Sequence, residues 1–552
     1  MIVSMKHLDL VCVASAREET LERLRALGVV HLDLSSARGS AVAGVRDELS
    51  DAERAVRLIV KARGKTPRGE FDLRPRDVAE VLALDADRQT LAAEAERLDR
   101  EIRFFEPYGD FDPVLAKKLV DRGIDLSDRL PPRLPEDRLS NLREKLARVD
   151  DRVKIDTAKL ASADEDSILA AYPMLRDRLA FEQARELLQA RGAVSVISGW
   201  VPETAVERLS TTARESGWGV LLREPLADEA PPTFIDPPKL FRPVKALFEG
   251  LGIAPAYDET DVSVPFMCYF SLFFAMLVGD GAYGAIFLIA TLFGWHRFGR
   301  LGQAMDPRAV ATRSWLVLMT VFSSATIVWG VLSNTWFGAG IPLCENWPTV
   351  KWLNGVGAPA GHEYDNMMFL CFTIGVSHLM LARIWNGVCK LNSTACLSEF
   401  GWAGIVLFMY VLTNSIVGIF GGIPTWCYWM FGISFLTVFA QAKGMDKGML
   451  FLNAMSVLGD IISYVRLFAV GLASVKVAQN FNSMALDLGL PLWLKWLPVV
   501  LIMLVGHGLN LAMAGLSVLV HAVRLNTLEF SNHKGISWAG YAFKPFKKTK
   551  EE

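Results

Sequence analysis

Cysteine is sparse and scattered: there are seven in 552 residues, at Cys12, Cys268, Cys344, Cys371, Cys389, Cys396 and Cys427. No two form a Cys-x-x-Cys pair and no histidine stands beside them at zinc-ligand spacing, so neither a disulfide framework nor a metal or cofactor site is expected. An excess of one charge is lacking too. The net charge is only -2, and the polar half carries no basic stripe interleaved with aromatics, which sets nucleic acid aside as a partner. A phosphate-binding loop is also missing. Arg63-Gly64-Lys65-Thr66 looks like the end of one, but the position five before Gly64 is Ile59 where glycine is required, and the context is a helix. The opening from Met1 to Asp9 is too polar for a secretory h-region, so the first half is expected to stay in the cytoplasm.

What is present divides unevenly. Hydrophobic residues make up 51% and charged residues 21%, but from Met1 to about Arg223 the chain is rich in Arg, Glu and Asp, while Val264 to about Leu525 is a series of long apolar runs. The pattern predicts a cytoplasmic domain over 1–245, a linker over 246–263, a transmembrane domain over 264–530 and a cytoplasmic tail over 531–552. Within the first, Ile2–Val13 reads as strand, Arg17–Leu27 as helix and Val29–Leu34 as strand. Val194–Val201, Thr204–Ser216 and Trp218–Leu222 repeat that order as a second α/β lobe. Between them Arg76–Phe105 and Glu136–Ala163 place Leu91, Leu98 and Ile102, and Leu142, Leu146 and Val149, at heptad-like spacing. An antiparallel two-helix coiled coil joining two globular lobes is the simplest arrangement; an ordinary helical domain is the alternative.

Seven apolar segments follow, at about Val264–His296, Ser314–Phe337, Met367–Trp385, Gly401–Gly421, Pro424–Ala440, Met449–Leu486 and Pro491–Leu525. Seven crossings would put the loop with His296, Arg297, Arg300, Arg308 and Arg313 outside, against the positive-inside tendency. Splitting the first segment into a hairpin at Gly279-Asp280-Gly281 gives eight helices and returns that loop, the Arg383–Lys390 loop, the Lys443–Lys447 loop and the Lys544–Lys550 tail to the cytoplasm. The last two helices, at roughly 35 residues, rise about 50 Å against a hydrocarbon core of about 30 Å, so they must tilt, curve or project.

Inside the first of these long helices lies Arg466, whose burial at bilayer depth costs about 2.5–3.5 kcal/mol or more. Gly459, Ser463, Val470 and Ala473 share its face, small enough for another helix to approach closely. The next helix carries His507, Asn510, His521 and Arg524, and Asp460, Lys476 and Glu529 complete the ionisable set. Each has a plainer reading. Arg466 pairs structurally with Asp460 or another carboxylate of the bundle, Arg524 snorkels to the surface, His507 and His521 are packing histidines, and Asp280 is a turn residue.

These residues resemble the a-subunit family of V-type and archaeal or bacterial A/V-type rotary ATPases, called subunit I in bacteria. The likeness covers nearly the whole chain. It runs through Met1-Ile2-Val3-Ser4-Met5-Lys6, Leu27-Gly28-Val29-Val30-His31-Leu32, Gly199-Trp200-Val201-Pro202-Glu203 and Pro237-Pro238-Lys239-Leu240-Phe241-Arg242-Pro243 to Gly279-Asp280-Gly281-Ala282-Tyr283-Gly284, where the family's usual glycine is Ala282. Most specific are Ser463-Tyr464-Val465-Arg466-Leu467 and His521-Ala522-Val523-Arg524-Leu525, with Glu529-Phe530 beyond. Some members carry a carboxylate ten residues before the second arginine; here that position is Ala514.

The resemblance implies a non-catalytic stator subunit in a bacterial inner membrane, forming half-channels for H+ or Na+ against a rotating proteolipid ring. It implies peripheral-stalk subunits E and G, a central-stalk d/C-type subunit and membrane lipid as further partners. Arg466 is then the essential membrane arginine and Arg524 its reinforcement; Asp460, Ser463, Tyr464, His507, Asn510, His521 and Glu529 are candidate channel residues, and Gly279, Asp280 and Gly284 form a structural turn. The rival class is a secondary ion transporter or channel, which predicts internal repeats with interrupted helices in matching positions. The sequence shows none.

Overall fold

The computed structural model describes residues 2–34, 37–63, 77–122, 130–298, 307–342, 344–356, 358–359, 362–442, 444, 446–488 and 491–548. Gly64-Lys65-Thr66, Arg300, Lys443 and Lys550 lie outside them.

Strand β1 (Met5–Val13) turns Leu8, Leu10 and Cys12 into a core while the residues between them stay partly exposed, the period-two pattern of a half-buried strand. It cannot be stable alone, and its partners come from the far end of the polar half. It lies between β3 (Val194–Pro202) and β4 (Gly219–Arg223), antiparallel to both, with Leu8 opposite Gly199 on one side and Leu222 on the other. β2 (Gln189–Arg191) adds an edge through the two-residue turn Gly192-Ala193, where Gly192 takes φ 70°. The order is β2-β3-β1-β4. Helices α1 (Arg17–Leu27) and α7 (Val206–Ser216) bury Leu21, Leu24 and Leu209 against Leu8, Leu10, Ile197 and Val201. The two lobes expected at opposite ends are therefore one lobe with a shared sheet, because a lone strand leaves both edges unpaired. Val29–Leu34 is no strand; it contributes a single bridge from His31 to Trp200.

Out of this lobe run α2 (Ser40–Arg63), α3 (Val78–Phe105), the short α4 (Pro113–Asp121), α5 (Leu139–Ser162) and α6 (Glu165–Leu187). α3 and α5 match the two expected coiled-coil helices, sealed by Leu98, Ile102, Phe105, Leu139 and Leu142. The stalk is thicker at its base than expected. There α2 adds Ala55 and Ile59 against Val81 and Leu160, and α6 returns to the lobe, where Asp177 meets Arg25 at 2.9 Å.

The apolar half begins after α8 (Val244–Leu251). α9 (Ser263–Val278) is apolar on every face and mostly buried, as a central helix must be. It joins α10 (Gly281–Phe298) through a 119° bend. The bend needs Gly279, at φ 69°, and Asp280, whose carboxylate accepts from Ala282 N and Gly338 N, both at 2.8 Å. α11 (Pro307–Ser333), α12 (Pro348–Leu353), α13 (Asp365–Cys389), α14 (Ala395–Ile416) and α15 (Thr425–Gln441) follow, then α16 (Asp446–Ile462), α17 (Val465–Leu486) and α18 (Leu492–Ser517). Among the described residues five helices are long and apolar enough to cross a membrane: Arg313–Ser333, Asp365–Cys389, Ala395–Ile416, Lys447–Leu486 and Trp496–Lys534. The bent pair makes a sixth if counted as one span; α15 has 17 residues. The expected loop at Arg383–Lys390 is instead largely the last turns of α13, which puts Arg383 inside a helix.

The final helix continues through two π-helical stretches, Val518–Ala522 and Leu525–Phe530, into α19 (Ser531–Lys534). The tail beyond it turns back to the N-terminal lobe. Gly540 N donates to Ala254 O, Thr233 N to Tyr541 O, Phe543 N to Thr233 O and Phe546 N to Val30 O. Phe546 enters the lobe's own core, and His31 Nδ1 lies 3.0 Å from the Lys544 backbone. Burial lowers the pKa of His31 below its usual 6.5. The docking it supports is therefore fully present above pH 6.5 and is lost as pH falls from there through the lower folded value.

Phe546→Ala is expected to weaken tail docking by about 3–5 kcal/mol, exposing Lys544 and Lys547 to trypsin in the detergent-solubilised chain while the α3–α5 stalk stays intact. Wild-type tail cleavage by an acid-tolerant protease should rise as the pH is lowered from 7.5 to 5; a flat profile would remove His31 from the docking.

Candidate functional site

The site forms where two long helices lose their regularity. Between α16 and α17 the helix opens into a turn at Ser463–Tyr464, and such a break frees carbonyls that apolar surroundings cannot satisfy. Polar groups of the same segment take them up: Ser463 Oγ donates to Asp460 O at 2.7 Å, and Arg466 Nε donates to Ser463 O at 2.9 Å. The guanidinium thus caps the break beside which it stands.

Opposite it, the π-helical stretch presents Glu529. A π-turn follows an i, i+5 pattern and is often found at functional sites; here it brings Arg524 and Glu529, five residues apart, to one face. Arg466 Nη2 lies 2.9 Å from Glu529 Oε1, and Arg524 Nε lies 3.5 Å from the same oxygen. Glu529 is 5% exposed at its side chain, Arg466 22% and Arg524 56%. Two guanidiniums share one buried carboxylate, leaving one positive charge unmatched within the cluster. Glu529 Oε2 is buried and has no hydrogen-bond partner among the described residues.

Arg466 therefore does pair inside its own chain, with Glu529 and not with Asp460. Asp460 belongs to a second polar chain on the other side of the break: its Oδ2 lies 3.1 Å from His533 Nε2, and Arg383 Nε donates to His533 Nδ1 at 3.1 Å. Arg383 and Lys390 then meet Glu399 at 3.4 and 2.6 Å. Sequence reasoning missed His533, Arg383 and Glu399. Their signal was there: His533 stands four residues after Glu529 on the same helix, and Arg383 within an apolar run.

Other expected channel residues are occupied elsewhere. His507 bonds the Tyr283 hydroxyl at 2.8 Å and Asn482 at 3.0 Å, and Asn510 donates to the same hydroxyl and to Ser474 O. They form a hydrogen-bonded knot that joins α10 to α17 and α18. The Tyr464 hydroxyl bonds His378 Nδ1 at 2.9 Å. His521 is partly buried with an unpartnered Nδ1 among the described residues. Asp280 is a turn residue, and Gly284 packs against Thr326 with no room for a side chain. Ala514 is buried.

A cavity of about 580 Å³ opens beside α17, lined among others by Gly279, Asn334, Glu345, Glu363, Leu467, Gly471, Lys476 and Gln479. Leu467, the residue after Arg466 in sequence, is part of its lining. Of the residues expected at the site only Gly279 lines it; the loop residues Glu345 and Glu363 were not foreseen, because nothing in their spacing ties them to α17. Several small residues along α16 to α18 are open to their surroundings, interspersed with exposed large ones such as Leu509, Met513 and Leu516. Gly459, Ala473, Gly508 and Ala512 are exposed and Ser463, Arg466 and Gly515 partly so, and a methyl added at Gly459, Gly508 or Gly515 would meet nothing within 4 Å.

No protein-family model matches the chain. Among curated proteins it is similar to V-type ATP synthase subunit I 1 of Treponema pallidum, 28% identical over 636 aligned positions that cover 99% of this chain and all of that protein. V-type ATP synthase subunit I of Borreliella burgdorferi is 31% identical over 65% of this chain and 60% of its own length. A-type ATP synthase subunit I of Methanocaldococcus jannaschii is 25% identical over 76% of this chain and 64% of its own.

Glu529→Gln strips both guanidiniums of their shared partner. Breaking a buried pair costs about 3–5 kcal/mol, and the partial exposure of Arg466 reduces this to about 2 kcal/mol. Thermal unfolding in detergent should show that loss, and the Arg466→Gln/Glu529→Gln double variant should lose less than the sum of the two single variants.

Proposed function

We propose that this chain, which is similar over 99% of its length to V-type ATP synthase subunit I 1 of Treponema pallidum, is the membrane stator of such a rotary complex. In this reading it carries no catalytic site. It forms the ion path against a ring of proteolipid subunits whose membrane carboxylates pass α17 and α18. The observation that carries the reading is the charge count at Arg466: two arginines share one buried carboxylate.

Arginine suits the task because its guanidinium stays protonated under all relevant conditions. It favours the ionised form of a carboxylate brought near it, without accepting or passing a proton itself. A ring carboxylate reaching these helices meets the unmatched positive charge, gives up its ion, and moves on once reloaded. Glu529 holds Arg466 in place between such encounters, and Arg524, more exposed, supplies the second charge. The cavity that Leu467 helps to line supports an outer half-channel, with Glu345, Glu363, Lys476 and Gln479 along its wall. The chain Asp460–His533–Arg383–Glu399 supports an inner path. Because the two are separated by Arg466, an ion crosses only by travelling with the ring, and exchanges about 2.3 kcal/mol per charge per 100 mV with the membrane potential.

The eight-crossing topology belongs to the same proposal. With α9 and α10 as a short hairpin and α15 as a crossing, the lobe, the stalk and the tail all lie on the cytoplasmic side of a bacterial inner membrane. The α2–α6 stalk binds peripheral-stalk subunits E and G and resists torque, and the lobe stands near a central-stalk d/C-type subunit. The ion is H+ or Na+.

Arg466→Lys should abolish ATP-driven ion pumping in vesicles reconstituted with the whole complex, since a lysine in an apolar site can lose its proton; pumping at the wild-type rate would refute the proposal. Gln479→Cys, placed in a background freed of other exposed cysteines, should react with a membrane-impermeant thiol reagent applied from the outside of intact cells.

A further inference from the structure

An imidazole that the ion path does not use lies against the ion pair. His378 of α13 is completely buried. Its ring is stacked between Tyr269 of α9, with centroids 4.1 Å apart and planes at 27°, and Phe530, at 4.5 Å and 11°. Its Nδ1 lies 2.9 Å from the Tyr464 hydroxyl, and its Nε2 is buried with no partner among the described residues. Tyr464 is itself fully buried, in space that Gly375 provides: a Cβ on Gly375 would stand 2.6 Å from Tyr464 Cγ.

The two groups that His378 holds are the ones that carry the ion pair. Tyr464 forms the helix break two residues before Arg466, and Phe530 follows Glu529. One flat ring thus bridges the two segments, by a hydrogen bond between its edge and Tyr464, beside the guanidinium, and by a face stacked on Phe530, beside the carboxylate. If this position only filled space, phenylalanine would do it without burying an unpaired nitrogen, which is costly. If it only needed a hydrogen bond, glutamine would make one without the flat faces. Imidazole does both.

We propose that His378 is a positioning residue for ion translocation: through the Tyr464 hydroxyl and the Phe530 stack it sets the spacing of Arg466 and Glu529. The proposal rests on the reading of Arg466 as the residue that meets the ring. Misplacing a reacting group by about 1 Å can cost about 10²-fold in rate, so a bridge between two irregular helices has a large effect for its size.

The test uses the whole complex, purified and reconstituted, with His378→Phe, Tyr464→Phe, their double variant, His378→Gln and Arg466→Ala. The readout is ions moved per ATP hydrolysed, which a mere loss of assembled complex does not change. His378→Phe and Tyr464→Phe should each lower that ratio about tenfold. The double variant should be no worse than either single one, and His378→Gln should recover part of the loss. A wild-type ratio in His378→Phe overturns the proposal, as does a double variant whose loss is the product of the single losses. If His378→Phe does not assemble, Tyr464→Phe, which removes one oxygen, decides alone: a wild-type ratio there overturns it too. Arg466→Ala separates the two claims. Should it alone lose coupling, the positioning role fails and the stator reading stands; should it retain coupling, both fall.

Discussion

A carboxylate buried among helices is costly without cations beside it, and Glu529 has two. Arg466 and Arg524 converge on a single oxygen of Glu529, and the rest of the membrane half is arranged to make that possible. The helix before Arg466 must open so that its guanidinium can turn toward Ser463 O. The helix carrying Glu529 must widen into a π-turn so that positions five apart come together. Each departure costs backbone hydrogen bonds in a place where water is excluded, and each is offset by groups belonging to the site itself. The result is a local excess of one positive charge. That excess is poorly stable in lipid and well suited to a passing anion.

The surroundings of the pair hold it at a fixed depth. α9 is buried on nearly every face and packs Phe270 and Phe273 into the cluster that also contains Tyr464, Leu467, Ala522 and Leu525. His507, Asn510, Tyr283 and Asn482 lock α10, α17 and α18 together on one side of the pair, and His533, Arg383 and Glu399 do the same on the other. The tail adds a longer link. By returning to bond Thr233 and Val30 and burying Phe546 in the lobe, it ties the end of the helix that bears Glu529 to the N-terminal lobe. The two halves are thus joined twice, covalently through the linker before α9 and by hydrogen bonds and packing through this tail.

Much of this was written in the order of residues. Apolar runs against charged heptads separated the two halves, Gly279-Asp280 marked the bend, and Arg466 stood out because a guanidinium in an apolar run is too costly to persist without a use. The limits of α3 and α5 fall within a few residues of those expected, since heptad packing is local and repeats. Strand β1 was legible as a strand, but its membership in one sheet with β3 and β4 was not, because partners nearly 200 residues away leave no periodicity in either segment.

The sequence by itself determined which side chains are costly where they stand, and so which ones demanded a function. Only the tertiary structure decided who answers whom: that Glu529 and not Asp460 meets Arg466, that His507 and Asn510 close on Tyr283, and that Glu345 and Glu363 line a cavity beside α17. The reason is physical. The cost of burying a charge depends on its own surroundings and can be read from its neighbours in sequence, whereas the partner that offsets it is fixed by distances between helices. Here those distances were set by a π-turn and a helix break that no hydrophobic period announces.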